Sequence, residues 1–391
     1  MSDWVIIGCG FIGTRLARSL LADGESVLAC ARDKNRLAEL EREGADAYIF
    51  DAKRSHAFNH AIGTKRAPKV VYALPPIPGF PGGEIVGRAA SKSLAVGANR
   101  FVFLSSTAVY GEGQDGQVVD EETDLAMSDL DARAFISAEG AVENARANGL
   151  DAAILRLSPV YGPGRGVRNR LLEGTYKLLD QGEHVYSRIH VDDVVGIIRS
   201  VVEDGPVNAT YCLADDRPCP QREYAEWLSE HLGTKKPTSV PSLAPGMPRR
   251  RIRNRHVSNA KLKSELKYVF RHPTYREGEL AIDRETGVET KPESLPPLII
   301  HKKANLAKIA ETTGLSRLAV VHKELAAKAE ERISSNSEAV IYVLSGQLQL
   351  LHGEEKHTAG AGSLIEVPTL GVQVATGDKG AATFLVIGLK L

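Results

Sequence analysis

Gly8, Gly10 and Gly13 stand in G-x-G-x-x-G spacing directly after the apolar run Trp4–Ile7. Leu16, Leu20 and Leu21 then recur at helical spacing. The context is therefore strand, tight turn, helix. In that context the first glycine permits the turn, the second lets backbone approach a pyrophosphate, and the third lets the helix pack close to the strand. Amide hydrogens left free at the helix start face the phosphates. The chemistry indicated is dinucleotide binding, with Gly8, Cys9, Gly10, Phe11, Ile12 and Gly13 on the phosphate side. At the end of the next strand, "SVLAC", an NAD site places an acidic residue on the ribose 2′-hydroxyl. Here Ala31 and Arg32 occupy that point and Asp33 follows. A guanidinium there forks onto a 2′-phosphate, so NADP is preferred and NAD is the other option. Arg32 as a solvated turn residue is the competing reading. Asp51, closing "DAYIFD", is placed to accept from an adenine amino group.

The elements that position these residues alternate. "KVVYALPP" (69–76) and "RFVFLSSTAVYG" (100–111) are further strands, with helical stretches between them. Such alternation gives an α/β fold, a Rossmann-type doubly wound parallel sheet that binds ligands beyond its carboxyl strand ends. Ala73, Leu74, Pro75, Ser105, Ser106 and Tyr110 all fall at those ends, and Pro159 does so after "ILRLS".

A chain of 391 residues accommodates two or three domains. Lysine plus arginine equals aspartate plus glutamate at 49 each, so no whole-protein field attracts nucleic acid or an anionic membrane. The start, "MSDWVIIGCG", has no basic n-region, and no stretch approaches the ~18 apolar residues of a membrane span. Cysteines 9, 30, 212 and 219 form no C-x-x-C pair and read as free thiols of a cytoplasmic protein.

"FLSSTAVYG", "ILRLSPVYGPGR" (154–165), "SRIHVDDVVGII" (187–198) and "NRHVSNAKLKSEL" (254–266) together resemble the atypical branch of the extended short-chain dehydrogenase/reductases, the NAD-dependent epimerase/dehydratase family. The likeness spans about residues 1–282. It implies a nicotinamide cofactor, hydride transfer and a small polar substrate such as a nucleotide sugar, held in a lobe mainly within 160–282. In the family a Ser or Thr four residues before the tyrosine of "VYG" touches the reacting group, and Ser106 matches. A Tyr-x-x-x-Lys pair then supplies acid and base, with a glutamate four places after the lysine. Glu139 fits the glutamate, which puts Phe135 at the lysine position and Asp131 at the tyrosine position. The resemblance therefore implies an acid/base pair that this chain lacks. Asp131 is a base if buried and held ionised by Arg133, or simply a residue favoured by a helix amino terminus. Positioned acid/base catalysis is worth roughly 10²–10⁴ in rate, so the loss matters. Tyr110 and Tyr161 are candidate donors and substrate contacts, or packing residues beside their turns. Arg165 and Arg250, the latter in the basic run "GMPRRRIRNRH", are candidates to clamp a diphosphate, or part of a solvated surface. Asp192 and Asp193 read as helix caps, and His190 as packed rather than metal-bound.

Composition shifts at "DRETGVETKPESLPP", read as a linker over 283–300. Beyond it, "EAVIYVLSGQLQL" and "GAGSLIEVP" resemble the cupins, a jelly-roll β-barrel, over about 300–391. Cupin metal ligands would fall among Arg332 to Ser335, at Ala339 and among Val372 to Val374, and none is histidine. The expectation is thus a Rossmann-type unit fused to a metal-free cupin-like barrel, in a homodimer. The competing expectation is a cofactor-binding sensor or scaffold without turnover.

Overall fold

The computed structural model describes residues 3–54, 56–63, 67–77, 79–112, 116–242 and 253–288, and within the last hundred residues 299–301, 318–325, 330–333, 339–352, 355–361, 363–367, 372–376 and 382–389. Two compact units divide between Thr290 and Lys291.

The first unit begins β1 (Asp3–Ile7), α1 (Phe11–Ala22), β2 (Ser26–Ala31), α2 (Lys34–Arg42), β3 (Asp46–Ile49), α3 (Ala57–Ala61), β4 (Lys69–Tyr72), α4 (Gly82–Ala95) and β5 (Arg100–Ser106). It continues β6 (Gln117–Val119), α5 (Leu130–Ala147), β7 (Ala152–Leu157), β8 (Val160–Tyr161), α6 (Val167–Leu172), β9 (Leu178–Leu179), β10 (Val185–Tyr186), β11 (Ile189–His190), α7 (Val191–Glu203) and β12 (Thr210–Leu213). It closes with β13 (Cys219–Pro220), α8 (Gln221–His231), β14 (Ser239–Val240), β15 (Arg255–Val257), α9 (Ala260–Leu266) and α10 (Tyr275–Thr286). Seven parallel strands form one sheet in the order β12-β7-β5-β4-β1-β2-β3. The winding reverses between β1 and β4, the point where such sheets open a crevice.

Both faces of this sheet are buried, which is why its strands read as nearly unbroken apolar runs. Trp4 and Ile6 point into a core with Leu16 and Leu20 of α1, Leu37 and Leu40 of α2, and Ile197 and Ile198 of α7. Val5 and Ile7 point the other way, onto Phe58, Ile85, Val86 and Val142. Period-two alternation along β1 thus assigns one residue set to each helical layer.

The short strands after β7 build a lobe beside the carboxyl edge. Its core gathers Tyr161, Leu171, Tyr176, Leu178, Tyr224, Leu228, Tyr275 and Ile282. A buried ionic cluster runs through it: Arg168 pairs with Glu279 and Asp283, and His231 meets Asp283. α10 opens with a capping box of Thr274 and Glu277 and ends on Gly287 in the left-handed region. The helix therefore runs on to Thr286, past residue 283, because cap and buried ion pairs stabilise both of its ends.

The second unit contains β16 (Ile299–His301), β17 (Leu318–Leu325), β18 (Glu330–Ile333), β19 (Ala339–Ser345), β20 (Gln347–His352), β21 (Glu355–Gly360), β22 (Leu364–Val367), β23 (Val372–Thr376) and β24 (Ala382–Leu389). These pair antiparallel in two sheets, β16-β22-β19-β24-β17 and β18-β23-β20-β21. Ile341, Val343, Leu348, Leu350, Leu364, Ile365 and Val374 are buried in it. "ANLAKIAETTG" (304–314), readable as helix within this β-rich stretch, lies outside the described residues.

At Gly13 a methyl group would overlap the carbonyl oxygen of Gly8 and crowd Ile6. Gly13→Ala is therefore expected to lose about 1–3 kcal/mol of stability to overpacking, read by urea unfolding. A change under a few tenths of a kcal/mol would show that α1 moves freely away from the turn.

Candidate functional site

The site is built from the turn between β1 and α1 outward. Gly8 sits at φ +108°, with Leu74 and Ala73 against the place where a Cβ would be. Gly8 and Cys9 donate their amides to the carbonyl of Cys30, which pins the turn to the end of β2. α1 then starts at Phe11 with no side-chain cap, so its first amides stay available at the sheet's carboxyl edge. Burial pushes the Cys9 thiol up to about 12, so it stays a neutral wall residue.

Beside this turn lies a cavity of about 420 Å³. Gly8, Cys9, Gly10, Arg32, Asp51, Ala73, Leu74 and Pro75, singled out from sequence, all line it. Arg36 and Lys53 line it too, and sequence reading had missed both. Arg36, in the first turn of α2, donates to the Cys9 carbonyl at 3.3 Å. Asp33 lines the cavity as well, with its carboxylate engaged at the start of α2. It caps α2, accepting from the amides of Asn35 and Arg36. Gly13 and Ile12 turn inward against the sheet, and Phe11 carries the Arg165 guanidinium over its ring at 5.1 Å.

The other sequence candidates are placed as follows. Ser106 ends β5 and caps the short 3₁₀ turn Thr107–Tyr110, its Oγ accepting from the Ala108 amide. The Ser105 hydroxyl turns inward, donating to Glu139 at 2.6 Å. Arg156 pairs with the same Glu139 at 2.9 Å and donates to the Tyr110 hydroxyl at 2.8 Å. Tyr110 in turn donates to the Asp120 carbonyl at 2.6 Å. Desolvation, with Cys212 beside it, raises the Tyr110 phenol far above its usual value. Tyr161 is wholly buried, its hydroxyl reaching the Thr274 carbonyl, and burial raises it likewise. Both tyrosines are packing members of closed networks. Arg250 lies outside the described residues.

Residues 129–139, "DLDARAFISAE", form the start of α5 and its cap. Asp129 is the cap, accepting from the amides of Asp131 and Ala132. Asp131 follows in the first turn, exposed, where the helix macrodipole favours a carboxylate. Arg133 donates to the Met127 carbonyl. Phe135 packs on the apolar cluster of Val109, Tyr110, Val119 and Cys212.

At the start of α7, His190 is the cap rather than Asp192 or Asp193. Asp192 receives Arg15 at 2.7 Å, and Asp193 accepts from the amides of Arg271 and His272. His190, Asp192 and His272 bring one possible ligand atom each within 4.8 Å of one another, partners that sequence spacing did not reveal. Arg15 and the positive helix end already balance Asp192, a setting that disfavours a divalent cation.

A second cavity, of about 430 Å³, opens on the lobe side of Pro159. Tyr176, Tyr186, Tyr224, Arg170, Lys177 and Arg188 wall it. None of these was singled out from sequence, because they come from four separated short elements.

Comparison with known proteins agrees with this geometry. Residues 84–214 match the family described as the NAD dependent epimerase/dehydratase family, and residues 4–76 match the TrkA-N domain. A 3-diazoavenalumate denitrifying reductase of Streptomyces sp is 29% identical over 302 residues, covering 69% of this chain and 96% of the relative. The UDP-glucose 4-epimerase of Thermotoga maritima, solved with UDP-glucose, superposes at a TM-score of 0.62 with 22% identity, over 73% of this chain and 99% of the epimerase. A dTDP-glucose 4,6-dehydratase, DesIV of Streptomyces venezuelae, solved with NAD, gives 0.62 and 20%, over 73% of this chain and 96% of the other. The matches support kinship of the first unit with that family, and the two structures share its fold. Among the described residues no helix is long and apolar enough to cross a membrane.

Burial, with His272 next to it, drops His190 to about 3. Folded protein thus keeps His190 neutral where an unfolded chain, titrating near 6.5, is already protonated. Its contribution is neutral above about pH 6.5 and turns destabilising as pH falls towards the folded value, by roughly 1.4 kcal/mol per pH unit. His190→Asn keeps a capping side chain and cannot titrate. Wild type should therefore lose stability relative to His190→Asn between pH 6.5 and 4.5 in denaturant titrations. A pH-independent difference would contradict the buried neutral ring.

Proposed function

We propose that the first unit is an NADP-binding oxidoreductase of the epimerase/dehydratase type, acting on a small polar metabolite of the nucleotide-sugar kind or related to it. The observation that carries this reading is the cavity at the β1–α1 turn, where unbonded helix amides and two close glycines meet Arg32 and Arg36. Phosphates suit the amides, and a 2′-phosphate suits the paired guanidinium groups, hence NADP over NAD. Pro159 joins this edge to the second cavity, which is where a substrate would lie.

Ser106, Asp131 and Arg133 are the proposed reacting-side residues. An exposed carboxylate is an acceptor and a poor donor at neutral pH. Phe135 supplies no charge. This combination supplies a proton acceptor and no donor, so it suits taking the proton of an alcohol as hydride leaves to the cofactor, and reduction of a carbonyl would draw its proton from water or from a substrate group. The Streptomyces relative is named a reductase, the direction in which that outside proton is needed. The second unit is proposed as a cupin-like barrel that joins two copies or holds a partner.

The Asp131 and Phe135 positions also favour a second reading, a cofactor-binding sensor without turnover. Titration with NADPH and NADH, followed by a substrate panel including sugar nucleotides, separates the two. The oxidoreductase reading expects micromolar NADPH binding, weaker NADH binding, and NADPH oxidation with at least one panel member. Binding without oxidation across the panel would favour the sensor, and no binding would end both. Asp131→Asn is expected to lower turnover about 100-fold or more if the carboxylate is the base. Unchanged turnover would remove it from the mechanism.

A further inference from the structure

We propose that Arg188 makes the second cavity a receptor for the anionic group of a planar, ring-bearing ligand. This rests on the oxidoreductase reading and names the substrate class for it: an aromatic anion, with the ring against tyrosine and the charge on Arg188.

Arg188 is the unusual residue. It immediately precedes β11 and is buried, yet it lines the cavity. Its guanidinium carbon lies 4.1 Å from the centre of the Tyr224 ring and 5.4 Å from that of Tyr275. Its Nη1 donates to the Cys219 sulfur at 3.0 Å. Burial pushes the Cys219 thiol up, so that partner is neutral. The Tyr224 hydroxyl is turned away to Glu279. Among the described residues Arg188 has no ion pair within 4.0 Å. Asp215, a buried acid whose charge acts on Arg188, accepts from the Arg217 amide through one oxygen and leaves the other unbonded. Burial raises that carboxyl well above the usual range, against the pull of Arg188. A guanidinium keeps its charge when buried. A buried cation whose contacts are two tyrosine faces and a thiol, with no carboxylate of the described residues within 4.0 Å, is costly unless something anionic completes it.

The rest of the wall agrees. Arg170 lies over the Tyr176 ring at 5.0 Å, and Lys177 reaches Thr238 at 3.0 Å. No aspartate or glutamate is among the lining residues. Gln221 is spent on Tyr176 and the Leu179 amide, so it offers no competing acceptor to Arg188. Three tyrosine faces with three cations and no acid select against a neutral or cationic ligand. They welcome a flat ring that carries negative charge.

Two sources share that chemistry, an aryl carboxylate and a nucleoside phosphate, and calorimetry on the full NADPH-loaded chain distinguishes them. The probes are 4-hydroxycinnamate against 4-hydroxycinnamyl alcohol, and UDP against uridine. Binding of either anion at least about 30-fold tighter than its uncharged counterpart is expected, and identifies the source. Arg188→Gln should abolish that preference, and Arg170→Met at the exposed rim should weaken it a few-fold without touching the fold. Should Arg188→Gln fail to fold, the charged-against-neutral comparison in the wild type still decides. Equal binding of charged and neutral probes, or no binding of any, overturns the proposal. NADPH binding measured in the same cell keeps that failure apart from failure of the oxidoreductase reading.

Discussion

At Gly13 the backbone of α1 presses on the carbonyl of Gly8, with no room between them for a side chain. Gly8 itself is held at positive φ against Leu74, and its amide is fixed on the carbonyl of Cys30. These contacts bring the open end of the helix to the crevice where the strand order reverses. From there the same helix reaches further. Arg15 on α1 meets Asp192 of α7 at 2.7 Å and Glu285 of α10 at 2.5 Å. The element that would grip phosphate therefore also braces the lobe that would hold a substrate. Displacement of α1 would disturb both sites at once.

The reacting edge separates what the fold needs from what the chemistry needs. Glu139, Ser105, Arg156 and Tyr110 form a buried, mutually bonded network between β5, β7 and α5. Breaking one partner of such a network typically costs several kcal/mol, which is reason enough for its presence. One turn earlier on α5, Phe135 adds apolar packing to Val109 and Val119. The strand–helix frame is thus held by this buried network, while Asp131 at the start of α5 stays exposed.

Much of the frame was legible in the sequence. The glycine spacing and the unbroken apolar strands give the sheet, and Gly8, Cys9, Gly10, Arg32, Asp51, Ala73, Leu74 and Pro75 of the cavity follow from strand ends. Arg36 was hidden because a basic residue on an amphipathic helix looks solvated until the fold turns it to the cleft. The wall around Arg188 was illegible for a stronger reason. Its residues come from α6, α8 and short strands and turns with no shared period, so only tertiary structure assembles them. His190 as a cap, with His272 beside it, is of the same kind. The continuation of α10 beyond residue 283 was masked by a polar, proline-containing stretch, whereas the helix is set by Thr274, Glu277 and Gly287. In the second unit "EAVIYVLSGQLQL" and "GAGSLIEVP" fall on β19, β20 and β22, whereas polar strands such as β18 and β21 and the pairing order came only with the structure.

The central claim is that the first amides of α1 hold the phosphates of a nicotinamide dinucleotide. Hydrogen exchange at Phe11, Ile12 and Gly13, followed with and without saturating NADPH, tests it most directly, since these amides have no intrahelical acceptor. The account predicts that NADPH slows exchange at these positions at least about tenfold, as expected when open donors gain charged acceptors. Unchanged exchange there, at a concentration of NADPH that protects some other part of the chain, would contradict it.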